Sequence, residues 1–173
     1  MPRLRDIALV PVERDDLPLL FNWINDRDLV VLSAPYRPID GPRHESWFES
    51  MLKRDDVHLF GIRHLESGRL IGSCQLLGVH PVHRHAELQV RIGEPEARGR
   101  GYGTQALELL VRFGFVDLHL HRISLQVFAD NAVAIRTYEK VGFRREGVLR
   151  DAAYVDGKYV DVVTMGILES DVR

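Results

Sequence analysis

The chain has 173 residues, 45% hydrophobic and 28% charged, a balance that excludes disorder as its main state and matches the length of one ordinary domain, residues 1–173. A formal net charge of −2 provides no general attraction for nucleic acid or an anionic membrane, so any phosphate recognition must be local. A single cysteine, Cys74, excludes an internal disulfide.

Residues 1–5 carry charge with no apolar signal core behind them, and no apolar run reaches about eighteen residues, so a cytoplasmic protein without a membrane span is expected. Residues 5–11 read as a strand. A helix then opens at Asp15-Asp16, with Asp15 as its cap and Leu17, Leu20, Phe21 and Ile24 as its apolar face. After a proline-rich loop over 34–42, a second helix runs from Pro42 or Arg43 to Lys53, its apolar side made by Trp47, Phe48 and Met51. Strands follow at 57–64 and 69–77, joined by the turn Glu66-Ser67-Gly68, and a third at 86–92. Cys74 sits among Ile71, Leu76 and Leu77, as a buried thiol would.

A long helix over 104–118 is well supported, because Leu107, Leu110, Val111, Gly114, Phe115 and Leu118 recur at helical spacing. The segment 122–128 alternates as a strand, 131–141 forms another helix, and strands 143–155 and 158–168 pair across Asp156-Gly157. Together these elements predict an α+β fold: a mostly antiparallel central sheet, helices on both faces, and two central strands splaying apart beside a glycine loop.

That loop is Arg98-Gly99-Arg100-Gly101-Tyr102-Gly103-Thr104, lying between a strand and the long helix. Alternate glycines let the backbone approach a ligand closely, and the helix behind them presents unpaired N–H groups and a positive dipole end, a cradle for a pyrophosphate. A P-loop would end in Gly-Lys-Ser/Thr, and no lysine stands there; a dinucleotide fold wants G-x-G-x-x-G in an early strand-helix-strand unit, whereas this loop is G-x-G-x-G past mid-chain.

Residues 98–103 fit Arg/Gln-x-x-Gly-x-Gly/Ala and resemble the coenzyme A loop of the GNAT superfamily of N-acetyltransferases. Residues 131–143 resemble that superfamily's second signature, N-x-x-A-x-x-x-Y-x-K-x-G-F, with Asn131, Ala134, Tyr138, Lys140, Gly142 and Phe143 in place. The similarity extends over most of the chain from Leu70 onward and looks closest to the branch holding spermidine N-acetyltransferases and ribosomal-protein N-terminal acetyltransferases.

The resemblance implies acetyl-CoA as donor. Backbone N–H groups of Gly99, Gly101, Tyr102, Gly103 and Thr104, with the side chains of Arg98 and Arg100, would hold its pyrophosphate. The strand containing Val90, Arg91 and Ile92 would run beside the pantetheine arm and turn one N–H to the thioester oxygen. Asn131 contacts the cofactor or caps its helix, and both can hold at once, with Ala134 and Lys140 beside it. Tyr138 is either the general acid for the departing thiolate or a packing residue, since a phenol with a pKa near 10 carries its proton at neutral pH. Glu87, alone among carboxylates in its strand, is the base, or the anchor for the acceptor's cation, or an outward salt-bridge residue.

His80, His83 and His85 cluster on a loop, but no cysteine joins them and acetyl transfer requires no metal, so none is expected. A small primary amine, polyamine-like or an amino sugar, is the favoured acceptor. Gln75, Gly78 and Ser33-Ala34 stand where a polyamine enzyme would be expected to carry carboxylates. The alternatives are an acetyltransferase for protein N-termini and, in another class, a silent acetyl-CoA sensor. A homodimer is expected by resemblance.

Overall fold

The computed structural model describes residues 5–172, so the charged start expected over 1–5 lies outside the described residues except for Arg5. Seven strands, β1 (Ile7–Pro11), β2 (His58–His64), β3 (Leu70–His80), β4 (His85–Ile92), β5 (Arg122–Phe128), β6 (Arg144–Val155) and β7 (Lys158–Leu168), form one sheet in the order β1-β2-β3-β4-β5-β7-β6. All pairings are antiparallel except β4 with β5.

Helices cover both faces, as the sequence pattern demands. On one face lie α4 (Tyr102–Arg112) and α5 (Ala132–Val141). Leu107 and Leu110 of α4 and Ile135 of α5 share the main core with Leu76, Leu88, Ile123, Leu125 and Met165 from the strands. The other face takes α1 (Leu17–Ile24), α2 (Arg27–Val30) and α3 (Gly41–Leu52), where Leu20, Trp23, Leu29 and Phe48 close over Leu70. Alternation along β2 shows the division: Leu59 faces this second cluster, while Phe60 and Ile62 face the first.

Several local expectations are corrected. Asp15 is exposed and caps nothing; Asp16, 5% exposed, accepts the Glu13 N–H at 3.0 Å and pairs with Arg63 at 2.6 Å, so the entry to α1 is held by the next carboxylate along. The four residues of α2 are too few to show a period, and nothing in the sequence pattern announced them. Asp40, whose carboxylate accepts the Arg43 N–H at 2.9 Å, starts α3 at Gly41. The long helix breaks into a π-turn over Phe113–Asp117. Gly114 lies there because a Cβ would stand 2.7 Å from Ile123. β3 runs to His80, beyond the expected end at Leu77, and β4 begins at His85. The three imidazoles therefore flank one hairpin tip, His80 and His83 stacked at 4.4 Å and His83 and His85 at 5.9 Å. Among the described residues no cluster of His, Cys, Asp and Glu is placed to hold a metal ion, and no helix is long and apolar enough to cross a membrane.

Candidate active site

The glycine loop ends in a helix start that no side chain caps among the described residues. At α5 and α3 a side-chain oxygen closes the first turn, from Asn131 and Asp40 respectively, but the cap position of α4 is Gly101. Gln105 N–H is taken by Gly101 C=O at 3.1 Å, which leaves the N–H groups of Tyr102, Gly103 and Thr104 pointing out of the helix. Gly99 and Gly101 hold φ of +72° and +84°, where side chains are strained, and no atom lies within 4 Å of where their Cβ would stand. Open space in front of bare N–H groups at a positive helix end suits a diphosphate.

The two loop arginines separate. Arg98 donates from Nε to Ile92 C=O at 3.2 Å and from Nη2 to Gly93 C=O at 2.8 Å, bracing the exit of β4. Arg100 is exposed, with no hydrogen bond or ion pair among the described residues, and is the loop's available side-chain cation.

Beside the loop the sheet opens. β4 and β5 pair only over His85–Glu87 against Arg122–Ser124, after which β5 stays with β7 and β4 with β3. From Leu88 to Ile92 the edge of β4 that faces β5 has no strand against it among the described residues, so apart from the Ile92 carbonyl, which Arg98 takes, its outward backbone groups are open to an extended ligand. Val90 and Ile92 turn their side chains into the core under α4, and Arg91 turns to the opposite face.

On the α4 and α5 side, Tyr138 is half-buried against the main core with its ring edge-on to Phe143 at 6.0 Å. Burial pushes its phenol pKa up, and its hydroxyl makes no hydrogen bond among the described residues. Both ends of the Asn131 amide are engaged: Oδ1 accepts the Ala134 N–H at 3.2 Å and Nδ2 donates to Leu32 C=O at 3.2 Å. Of the two roles the sequence left open, capping is the one this geometry displays. Ala134 is packed against the core and Lys140 is exposed in the last turn of α5.

The opposite face holds a cleft of about 230 Å³ lined by Glu87, Arg122, Ser124, Gln126, Glu146 and Thr164. Arg122 Nη1 donates to Glu146 Oε1 at 2.6 Å and its Nη2 to Oε2, a bidentate pair that holds the Glu146 carboxyl below its usual range. Gly166 underlies this pair, since a Cβ there would stand 2.6 Å from Glu146 Oε1. Glu87 has no ion-pair partner among the described residues, only Gln89 Nε2 at 3.5 Å. Arg122, Glu146 and Thr164 were missed in the sequence because only the register of β5, β7 and β6 places them beside Glu87.

Residues 6–144 match the acetyltransferase (GNAT) domain family. The chain belongs to the GNAT acetyltransferases. It is 31% identical over 166 residues to a spermidine N(1)-acetyltransferase of Vibrio cholerae, covering 95% of this chain and 94% of the relative. The corresponding enzyme of Escherichia coli is 28% identical over 181 residues, covering 98% and 89%. A crystal structure of the V. cholerae spermidine N-acetyltransferase in complex with CoA and spermine superposes with a TM-score of 0.88 at 29% identity, covering 96% of this chain and 97% of that one. This GNAT chain is thus an N-acetyltransferase with acetyl-CoA as its acyl donor, and the loop at α4, the open edge of β4 and the space before them fit that donor.

Proposed function

We propose that the chain acetylates the primary amine of a small molecule, which attacks the donor's thioester directly. The observation that carries this is the parting of β4 and β5 just past Glu87: it connects the uncapped end of α4 on one face with the Glu87 cleft on the other. Bound acetyl-CoA supplies the activated acyl group. The N–H groups at 99–104 and Arg100 hold its diphosphate, and the bare edge of β4 at Val90, Arg91 and Ile92 aligns its amide arm. One N–H of that edge would serve as hydrogen-bond donor to the thioester oxygen, fixed in place before charge develops. Glu87 receives the acceptor's ammonium and takes its proton, directly or through water. Tyr138, kept protonated by burial, has a free hydroxyl to give a proton to the sulfur.

Relatives named for spermidine favour a small-molecule amine over a protein N-terminus. One catalytic domain over 1–173, acting in the cytoplasm and self-associating, completes the proposal. The test is thiol release from acetyl-CoA across a panel of amines. Turnover of at least one small amine is expected; thermal stabilisation by acetyl-CoA with no turnover on any acceptor would make the chain a sensor.

A further inference from the structure

Arg91 is the anomaly of this site. Its side chain is half-buried, and burial alone pushes its pKa down, with no carboxylate acting on it. It makes no hydrogen bond or ion pair among the described residues. Other partly buried arginines are matched: Arg63 pairs with Asp16 at 2.6 Å and Arg122 with Glu146. A guanidinium drawn out of water without an anion is costly, and an arginine offers a fork that fits a carboxylate or phosphate.

Its place in the strand says which ligand it serves. Ile92, the next residue, lies 3.7 Å from the Cβ position of Gly103 on the α4 side, so Arg91 faces away from the phosphate-binding loop. Its own face is that of Gln89 and Glu87, the acceptor's face. The cross-strand pairs there are Ser73 with Arg91, Gln75 with Gln89 and Leu77 with Glu87. Gln75 donates from Nε2 to Gln89 Oε1 at 2.9 Å, while its Oε1 is buried with no partner among the described residues. Along one row, then, stand a carboxylate without a cation, a buried carbonyl without a donor, and a guanidinium without an anion. Four residues of strand, about 13 Å, separate the first from the last.

We propose that the acceptor is an amine bearing an anionic group several bonds away: Glu87 holds the ammonium, Gln75 Oε1 accepts a hydrogen bond from the middle of the molecule, and Arg91 binds the anion. This rests on the transferase function proposed above and narrows its substrate class. A polyamine is the wrong complement, because a second ammonium would be carried toward a cation.

The experiment compares kcat/KM on length-matched primary amines ending in a carboxylate, a phosphate or a methyl group, with spermidine alongside. The wild-type protein should prefer an anionic amine over the methyl-terminated one by tenfold or more, and the carboxylate and phosphate arms identify which anion is read. Arg91→Gln should cut that preference at least tenfold, Arg91→Lys should restore part of it, and Arg91→Glu should shift the preference toward spermidine. Arg91→Gln should also melt no lower than wild type, because it removes an unpaired charge; a lower melting temperature with an unchanged preference would make Arg91 a packing residue and overturn the proposal. Preference for spermidine or the methyl-terminated amine in the wild type overturns it while leaving the transferase intact. No turnover on any amine defeats both.

Discussion

Replacing Gly93 by alanine tests how helix α1 is seated on the strand that leads to the glycine loop. A Cβ at residue 93 would stand 2.1 Å from Cδ2 and Cε2 of the Trp23 indole and 2.6 Å from its Nε1. Trp23 is 5% exposed and its Nε1 donates to Glu94 Oε1 at 3.1 Å, so the ring must retreat by more than an ångström and release that bond. Overpacking costs about 1–3 kcal/mol, and losing a hydrogen bond to a charged acceptor about 1.5–3 kcal/mol. Together the loss is about 2.5–6 kcal/mol, which for a domain of this size lowers Tm by roughly 5–24 °C. Thermal and urea unfolding followed by circular dichroism measure it. In a Trp23→Ala background the ring is gone, and alanine at 93 should then cost under about 0.5 kcal/mol. A single-mutant shift below about 3 °C, or the same penalty with and without the indole, would refute this account of the contact.

Tyr138→Phe should lower kcat by about 10- to 100-fold with KM for acetyl-CoA changed less than threefold; initial rates across a range of acetyl-CoA concentrations decide it, and normal turnover with weakened donor binding would assign the ring to packing. Burial lowers the pKa of His44, which sits between Phe21 and Trp47, so the fold favours its neutral form: stability is full above the unfolded value of 6.5 and falls as pH drops below it. His44→Phe should flatten much of the urea-midpoint loss between pH 6.5 and 5, leaving the part owed to His58, whose pKa burial also lowers. Cys74 has the opposite sign, since burial pushes its thiol from 9.0 up to about 12. Stability is therefore retained below pH 9 and lost as pH rises toward 12, by at most about 1.4 kcal/mol per pH unit. Cys74→Ala should lessen that alkaline slope, and a thiol reagent at pH 8 should label the native protein only at its unfolding rate.

The glycine loop and the helix start behind it were legible because their signals are local. Bare helix N–H groups and left-handed glycines depend on neighbours a few residues apart, so 98–104 reads as an anion cradle before any fold is known. The apolar period of α4 and the alternation of β5 likewise survive translation into structure. Arg98 and Asn131 were half legible: each lies at its expected position, but the pattern showed neither that Arg98 braces β4 through Ile92 and Gly93 nor that Asn131 bonds Leu32 as well as its own helix. Asp15 shows the limit of propensity, as two adjacent acids offer the same local signal and only the approach of Arg63 from β2 selects Asp16.

By itself the sequence determined the periodic elements, the glycine-rich turn before α4, and the presence of a phenol and a carboxylate suited to proton transfer. Tertiary structure alone decided where β4 leaves β5, which arginine meets Glu146, and that Arg91 meets no carboxylate among the described residues. Local conformation follows from residues a turn apart, whereas the match or mismatch of charges depends on strand register and helix seating between segments tens of residues distant, which no short-range pattern encodes.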